Sequence, residues 1–424
     1  LRRETSIFNT LDWPLVALYV ALVAIGWMAI YAVGYKGEGE TAFSLGTSHG
    51  KQLFTAAVCV LLIIGILVID FRVWPALAYW IYGAMLAACL AAVVLAPETK
   101  GARSWFDLGV FKFQPSEFAK FATALALARY LTTLHISMRN LRSRLVAIGI
   151  MLLPAIIIIL QNDKGSAIIF GGLLLLLYRQ GLPLTFVVIA IYIASLFLLT
   201  IAFGSTAITL VLIGVAIALI TWFALFFKNK RQRIVLTSGA LALSVAFVLL
   251  GVKPIFEKVL QDRDRTRINV MLGKEVDAYA DYNVEQSKIA ISSGRFAGKG
   301  FLKGTITQGE FVPEQRTDFI FSGVGEEFGF VGSALLVILF VSLLLRIVFI
   351  AERQRSEFTR IYAYGVASIL FTHFALNIAM VIGIFPTVGI PLPFISYGGS
   401  ALIGFTILVF ILLRLDAARK AVFR

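Results

Sequence analysis

Apolar residues in this chain fall into runs too long and too uniform to be the faces of soluble helices or strands. A spanning helix needs about 20 apolar residues. Runs of that order lie near 13–33, 52–70, 74–97, 117–135, 143–161, 166–179, 183–203, 206–227, 233–252, 328–350, 361–385 and 397–414. The pattern predicts an all-α, polytopic transmembrane helix bundle of about twelve spans. An even number puts both termini on one side of the membrane. The 166–179 run is short for a full span, and only Lys228, Lys230, Arg231 and Arg233 separate the 206–227 run from its successor. One connection, roughly 253–327, is far longer than two neighbouring helices need, and loops of that length are usually functional or disordered. Its turn signals, Ser293-Gly294 and Gly298-Lys299-Gly300, alternate with Phe296, Phe301, Phe311, Phe319 and Phe321. Such a segment is expected to pack back onto the bundle. The organisation predicted is one integral membrane domain over 1–424, with this large loop.

Composition agrees: 59% of the residues are hydrophobic and 15% charged, and the mean hydropathy is +0.89, which excludes an ordinary soluble globular domain. Cys59 and Cys89 both lie in apolar runs, where the expectation is two buried thiols rather than a disulfide or metal site. His49, His135 and His373 have no metal-ligand spacing, and His373 reads as a hydrogen-bonded packing residue. No cleavable signal peptide is expected, since Asp12 precedes a first run that continues past spanning length.

The net charge of +14 would suggest nucleic acid in a soluble chain. Here it follows sidedness. Arg2 and Arg3, Arg139, Arg142 and Arg144, the Lys228 to Arg233 cluster, Arg346, Arg353, Arg355 and Arg360, and Arg414, Arg419, Lys420 and Arg424 all fall in alternate connections or termini, which are cytoplasmic by the positive-inside rule. With Arg72, Arg129 and Arg179 also inside, that side carries 20 basic and 6 acidic residues, against 18 of each outside. The surplus is an orientation signal, and no nucleic-acid partner is expected.

The exterior connections hold the candidate chemistry. The second, Gly101-Ala102-Arg103-Ser104-Trp105 to Gln114-Pro115-Ser116-Glu117-Phe118-Ala119-Lys120, offers Ser116 as a helix cap and Glu117 with Lys120 one turn apart. The pair reads either as an ordinary interfacial ion pair, with Trp105 as a headgroup anchor, or as an intramembrane site, because Lys120 lies within an apolar run. In Gln161-Asn162-Asp163-Lys164-Gly165-Ser166, Asp163 is either the N-cap of the next helix or a polar group at the mouth of a cavity. Asp318 stands immediately before an apolar run, where partial desolvation suits a carboxylate to act as a base. Glu326 and Glu327 read as first-turn acids facing a helix dipole. The last connection, Gly383 to Ser400, carries Pro386, Pro391 and Pro393 among glycines, and irregular backbone at that depth is tolerated only where it is buried in protein or lines a cavity.

Four dispersed motifs, RSWFDLGVFKFQPSEFAKF, QNDKGSA, QSKIAISSGRFAGKGFLKGT with FVPEQRTDFIF, and FPTVGIPLPFISYGGS, together resemble the bacterial shape, elongation, division and sporulation (SEDS) family over nearly the whole chain. The VGIPLP and FDLG forms look like its elongation branch rather than its division branch. The resemblance implies a peptidoglycan glycosyltransferase that polymerises lipid II on the outer face of the cytoplasmic membrane. It also implies a class B penicillin-binding protein as partner, within the elongation machinery. By the same resemblance the essential aspartate is Asp318, the functional Glu and Lys are Glu117 and Lys120, a further aspartate is Asp163, and a basic pair near the pyrophosphate is Arg265 and Arg267.

This chain departs from the family pattern at Asn162, where proline is usual, at Lys164, usually apolar, and at Arg316, where histidine is common. Family members resemble ten-helix proteins, so two apolar runs, at about 206–252, are expected to be an insertion. They are expected to be peripheral and lipid-facing, since neither span contains an ionisable residue beyond Arg233 at the edge of the second.

Asp318 is expected to be the general base on the acceptor hydroxyl in one inverting displacement. Arg103, Lys120, Arg265 and Arg267 are the candidate cations for the departing pyrophosphate. Glu117 and Asp163 would orient those cations or hold a divalent ion, magnesium or manganese; no dedicated metal-ligand set is expected. The alternatives are a division polymerase of the same family and a lipid-precursor flippase or other transporter, with a non-catalytic scaffold as a third reading.

Overall fold

A computed structural model of the chain describes residues 7–35, 44–99, 101–107, 109, 112–134, 136–226, 230–274, 280–309 and 311–419. Arg2, Arg3, Lys228, Lys420 and Arg424 of the sidedness pattern, His135, and Leu108, Val110 and Phe111 of the first motif lie outside the described residues. The chain groups into two compact units, 1–182 with 283–424, and 183–282.

The first unit contains α1 (Trp13–Gly34), α2 (Ser48–Val68), α3 (Val73–Leu95), α4 (Pro115–Leu131), α5 (Leu141–Leu160), α6 (Lys164–Gly171) and α7 (Leu173–Arg179). The second contains α8 (Leu184–Phe203), α9 (Ser205–Phe226), α10 (Lys230–Ala246) and α11 (Asp262–Met271). α12 (Ala280–Ser293), which enters the first unit at Asn283, is followed there by α13 (Thr305–Gln308), α14 (Ile320–Glu352), α15 (Glu357–Val381) and α16 (Gly399–Ala417). A two-stranded ribbon, with Phe106 opposite Phe113 and Asp107 opposite Lys112, precedes α4.

Among the described residues the twelve apolar runs are largely helical, and nine helices are long and apolar enough to cross a membrane. Two of the other runs fall short for local reasons. α4 has 17 residues and carries Glu117, Lys120 and Arg129. The 166–179 run breaks at Gly172, where a Cβ would lie 1.9 Å from Thr372 Oγ1, so α15 crosses where α6 gives way to α7. Apolar character in α9 is established over Ser205–Leu219.

α16 is the axis of the first unit, buried along almost all of its length. α4 lies beside it through a run of small residues, Ala119, Ala122, Ala124, Ala126 and Ala128, that lets helices approach closely. A Cβ at Gly404 would meet Glu117 O at 3.1 Å, and one at Gly365 of α15 would meet Ala124 Cβ at 3.1 Å. Leu61, Val68, Trp80, Val94 and Leu345 point outward, as expected of side chains solvated by lipid rather than water.

In the second unit, Leu196, Ile208, Leu212 and Val248 form a core, with Leu241, Val245 and Phe247 packed on it. The Tyr192 hydroxyl donates to Ser244 Oγ at 3.0 Å. Beyond α10 the helix continues through π-helical turns at Phe247–Gly251 and Ile255–Val259. The two runs expected as an insertion fall in this unit together with α8, and Leu210, Val211, Leu243 and Leu250 face outward.

Candidate active site

Between α15 and α16 the backbone of 383–398 runs without helix, because three prolines remove N–H donors and Gly383 and Gly389 take φ of 80° and 74°. Its polar groups are met by protein. Leu392 N donates to Ser396 Oγ at 2.8 Å, Gln52 Nε2 donates to Ser396 O at 3.4 Å, and Tyr397 N donates to Arg316 O at 2.8 Å. Gly26 of α1 admits this backbone: a Cβ there would lie 2.4 Å from Phe394 O. The expectation that the segment is buried in protein is met at Ile390, Leu392, Phe394 and Ile395.

Four consecutive residues of this segment each touch a different polar element. Val388 O sits against Gly165, two residues after Asp163 in the chain, where a Cβ would approach it to 2.2 Å. Gly389 faces the Asp318 carboxylate, whose Oδ2 would be 3.5 Å from a Cβ at that glycine. Ile390 O accepts from Asn377 Nδ2 at 2.7 Å, and the same amide donates to Asp318 O at 2.8 Å. Pro391 O is bonded to His373 Nδ1 at 3.3 Å. Since a carbonyl only accepts, Nδ1 carries the proton, which leaves Nε2 to accept from the Lys120 ammonium at 2.8 Å.

Lys120 is therefore held on three sides. It donates to Glu117 Oε1 at 2.6 Å and to His373, and it lies 5.3 Å from the centre of the Phe405 ring. Both charged side chains are only 3% exposed, so the pair is buried inside the protein rather than presented on its surface. Glu117 Oε2 is buried without a partner. Ser116 is not the cap expected of it: Gln114 takes the N-cap position with Pro115 in the first turn, and the Ser116 hydroxyl is buried and unpartnered.

Of the two readings of Asp163, the N-cap is the one observed, with a second bond beside it. Its Oδ1 accepts the Ser166 N–H at 3.1 Å as N-cap of α6, while Oδ2 accepts from Gln114 Nε2 at 2.9 Å. Gln114 N in turn donates to Ser400 Oγ at 3.1 Å, tying the start of α4 to the start of α16. Asn162 precedes Asp163 with φ of 62°, a left-handed conformation that asparagine tolerates and that proline, locked near −65°, cannot adopt.

Asp318 is half-buried at the entrance to α14, with its N–H bonded to Glu314 O at 3.0 Å. The residues just ahead of it in the chain, Arg316 and Thr317, line a cleft of about 540 Å³ with Val33, Ser48, Pro313, Glu314 and Tyr397. Arg316 Nη1 donates to Ser48 Oγ at 3.0 Å. Burial pushes the Tyr397 hydroxyl up from its ordinary range, and the Arg316 charge offsets part of that rise.

The other predicted cations are placed differently. Arg103 is about half exposed, with Glu98 at 3.8 Å, and its backbone N–H donates to Gln161 O at 2.9 Å. Arg265 and Arg267 belong to α11 of the second unit, where Arg265 pairs with Asp262 and keeps its Nε buried and unpartnered. Among the described residues no group of three His, Cys, Asp or Glu side chains is placed to hold a metal ion. Glu117 is committed to Lys120 through Oε1.

The end of the long loop is clamped by Glu326, which caps an element other than its own. Its carboxylate accepts from Lys299 Nζ at 2.6 Å, Ile306 N at 3.0 Å and Thr307 N at 2.8 Å, so it satisfies the N-terminus of α13. Glycines allow the approach behind it: a Cβ at Gly298 would lie 2.1 Å from Glu327 O, and Gly329 takes φ of 63°. The expectation that the loop packs back on the bundle is met here by Lys299 N to Glu326 O at 3.0 Å and Phe330 N to Arg295 O at 2.9 Å. Glu326 and Glu327 thus lie within α14 and hold the loop down, rather than facing a dipole in a first turn.

Sequence reasoning left His373, Asn377 and Gln114 out of the site. A signal was present: His373 and Asn377 are four apart on one apolar helix, hence on one face, and both are polar at membrane depth.

Residues 12–213 and 213–421 match the model of the cell cycle protein family FtsW/RodA/SpoVE. The chain is 33% identical over 334 residues to the peptidoglycan glycosyltransferase MrdB of Escherichia coli K12, which covers 78% of this chain and 75% of that protein. It is 29% identical over 414 residues to the peptidoglycan glycosyltransferase RodA of Treponema pallidum, covering 92% and 94%. Its fold is similar to a chain from a solved peptidoglycan synthase complex that coordinates polymerization and crosslinking, with a TM-score of 0.68, 24% identity and coverage of 96% and 98%. With the family model running almost from end to end, the chain belongs to the FtsW/RodA/SpoVE family.

Proposed function

We propose that this chain is a peptidoglycan glycosyltransferase that polymerises lipid II at the outer face of the bacterial cytoplasmic membrane during elongation, alongside a class B penicillin-binding protein that crosslinks the product. One observation carries the reading: residues 388–391 contact, in turn, the Asp163 turn, the Asp318 carboxylate, the Asn377 bridge and the His373–Lys120–Glu117 chain. A base and a buried cation thereby share one rigid support. The relatives' activity and the synthase complex support both the reaction and the partner.

The donor sugar is α-linked to pyrophosphate and the polymer linkage is β, so a single inverting displacement suffices. Asp318 takes the proton of the acceptor sugar hydroxyl as the glycosidic bond forms and the bond to pyrophosphate breaks. The 540 Å³ cleft lined by its chain neighbours Arg316 and Thr317 is assigned as the acceptor's approach. General-base catalysis of this kind contributes about 10²–10⁴-fold. Lys120, paired with Glu117 and bonded to His373, supplies fixed positive potential from a buried, water-poor position, where such charge is worth most. Arg103, Arg265 and Arg267 are assigned to the pyrophosphate. Magnesium usually binds through one or two carboxylates together with substrate phosphates; no step here is routed through a metal.

Asp318→Asn is expected to lower polymerisation at least 100-fold while insertion, folding and capture of the class B partner stay unchanged. The assay is purified protein with that partner and lipid II, with glycan length read on a gel. Glycan synthesis at the wild-type rate would remove Asp318 from the role. Lipid II movement without polymer would favour transport instead.

A further inference from the structure

At the cytoplasmic end of the first unit, far from Asp318 in depth, the ends of α3, α15 and α16 enclose a second cavity, of about 230 Å³. Arg72, Arg355 and Arg419 line it, together with Gln354 and the apolar Phe71 and Phe358. No carboxylate is among its described lining residues. Arg419 is braced from behind by Asp416 at 3.1 Å, and Arg72 lies 5.5 Å from the Phe71 ring. Ser356, also in the wall, is the N-cap of the 25-residue α15, so the positive end of that helix opens on the same space.

A second, independent feature points to a ligand. Gln354 is 7% exposed, its amide nitrogen is committed to Asp416, and its Oε1 is buried without a partner. A buried acceptor of that kind calls for a donor that the protein does not supply. The wall thus offers guanidinium groups for a phosphate, one lone acceptor for a hydroxyl, and an apolar side. Beyond the cavity, α3 turns Val73, Leu77 and Trp80 outward into what the fold makes the lipid-facing surface.

We propose that this cavity binds the headgroup of an anionic, hydroxyl-bearing phospholipid of the inner leaflet, such as phosphatidylglycerol. The phosphate pairs with Arg72, Arg355 and Arg419, the headgroup hydroxyl donates to Gln354 Oε1, and the acyl chains run along α3. Basic pockets between spanning helices on the cytoplasmic side take headgroups in this way. The mixed wall favours a lipid over soluble phosphate, which has no use for Phe71 and Phe358. The bound lipid would join the ends of three helices and so stabilise the first unit.

The test uses the full chain, purified in neutral detergent, with adducts read by native mass spectrometry and melting temperature read in parallel. Phosphatidylglycerol is expected to be retained and to raise the melting temperature, whereas phosphatidylcholine and inorganic phosphate at equal concentration do neither. The double variant Arg72→Gln/Arg355→Gln is expected to lose retention about ten-fold or more, and Arg72→Lys/Arg355→Lys to keep most of it. The competition between lipids needs only the wild-type chain, so it stands even if the glutamine variant does not fold. Equal retention of phosphatidylcholine, displacement by inorganic phosphate, or full retention by a folded glutamine variant would each overturn the assignment.

Discussion

Lys120 and Glu117 form a buried pair whose role in stability can be separated from its role in chemistry. Removing one partner of such a pair strands the other, at a cost of about 3–5 kcal/mol, and Glu117 already has one oxygen unpartnered. Lys120→Met is therefore expected to melt well below wild type, and Glu117→Gln/Lys120→Met to recover most of the loss, because no lone charge remains. If the cation serves the departing pyrophosphate, both variants stay inactive. Melting curves in detergent and glycan gels on the same samples check this; polymerisation restored in the double variant would reduce the pair to packing. His373 enters through the same chain of bonds, since its Nδ1 proton, fixed by Pro391 O, is what aims a lone pair at Lys120.

At the scale of elements, the 383–398 segment works as a splint, and its contacts depend on glycines in the elements it touches. Gly165 is the sharpest case, because the first turn of α6 meets Val388 O where a Cβ would be 2.2 Å away and backbone cannot yield as a side chain can. Gly165→Ala is expected to cost about 1–3 kcal/mol as overpacking and to lower polymerisation through displacement of residues 388–391 from Asp318. Gly149→Ala is the control: it is also in a helix, with nothing within 4 Å of the added Cβ, and should leave activity unchanged. Equal activity in the two variants would show that the splint tolerates movement.

Across the whole of the first unit, the cytoplasmic ends are fastened by one ionic cluster. Asp12, the N-cap of α1, accepts from Arg346 at 2.9 and 2.8 Å and from Arg353 at 2.7 Å, and Arg353 continues to Asp416 at the end of α16. Burial alone would raise the Asp12 carboxyl, but the hydrogen bonds from Arg346, the Leu15 N–H and Arg353 outweigh it and hold it below its ordinary value. A carboxyl depressed on folding contributes stability that is full above its unfolded range and is lost as pH falls through the folded value. Asp12→Asn should therefore melt lower than wild type at neutral pH, and the gap should close in acid. Thermal unfolding of both proteins across pH checks it; a gap that does not depend on pH would assign the effect to packing.

Much of this protein is legible without coordinates, for a physical reason. A bilayer demands about 20 apolar residues per crossing and sorts Lys and Arg by side, so helix positions, orientation and the exterior location of the chemistry are written locally, run by run. The motif residues Asp318, Glu117, Lys120 and Asp163 are likewise recognisable one at a time. Their convergence is not, because it is made by backbone carbonyls and hydrogen atoms of glycine at 388–391, which leave no side-chain pattern to read. The partners of Lys120 and Asp318 come from a helix more than 50 residues further on, and the acid that caps α13 lies about 20 residues beyond it. Only packing could decide that His373 and Asn377 belong to the site, that Glu326 holds the loop, and that four residues without a charge among them form its centre.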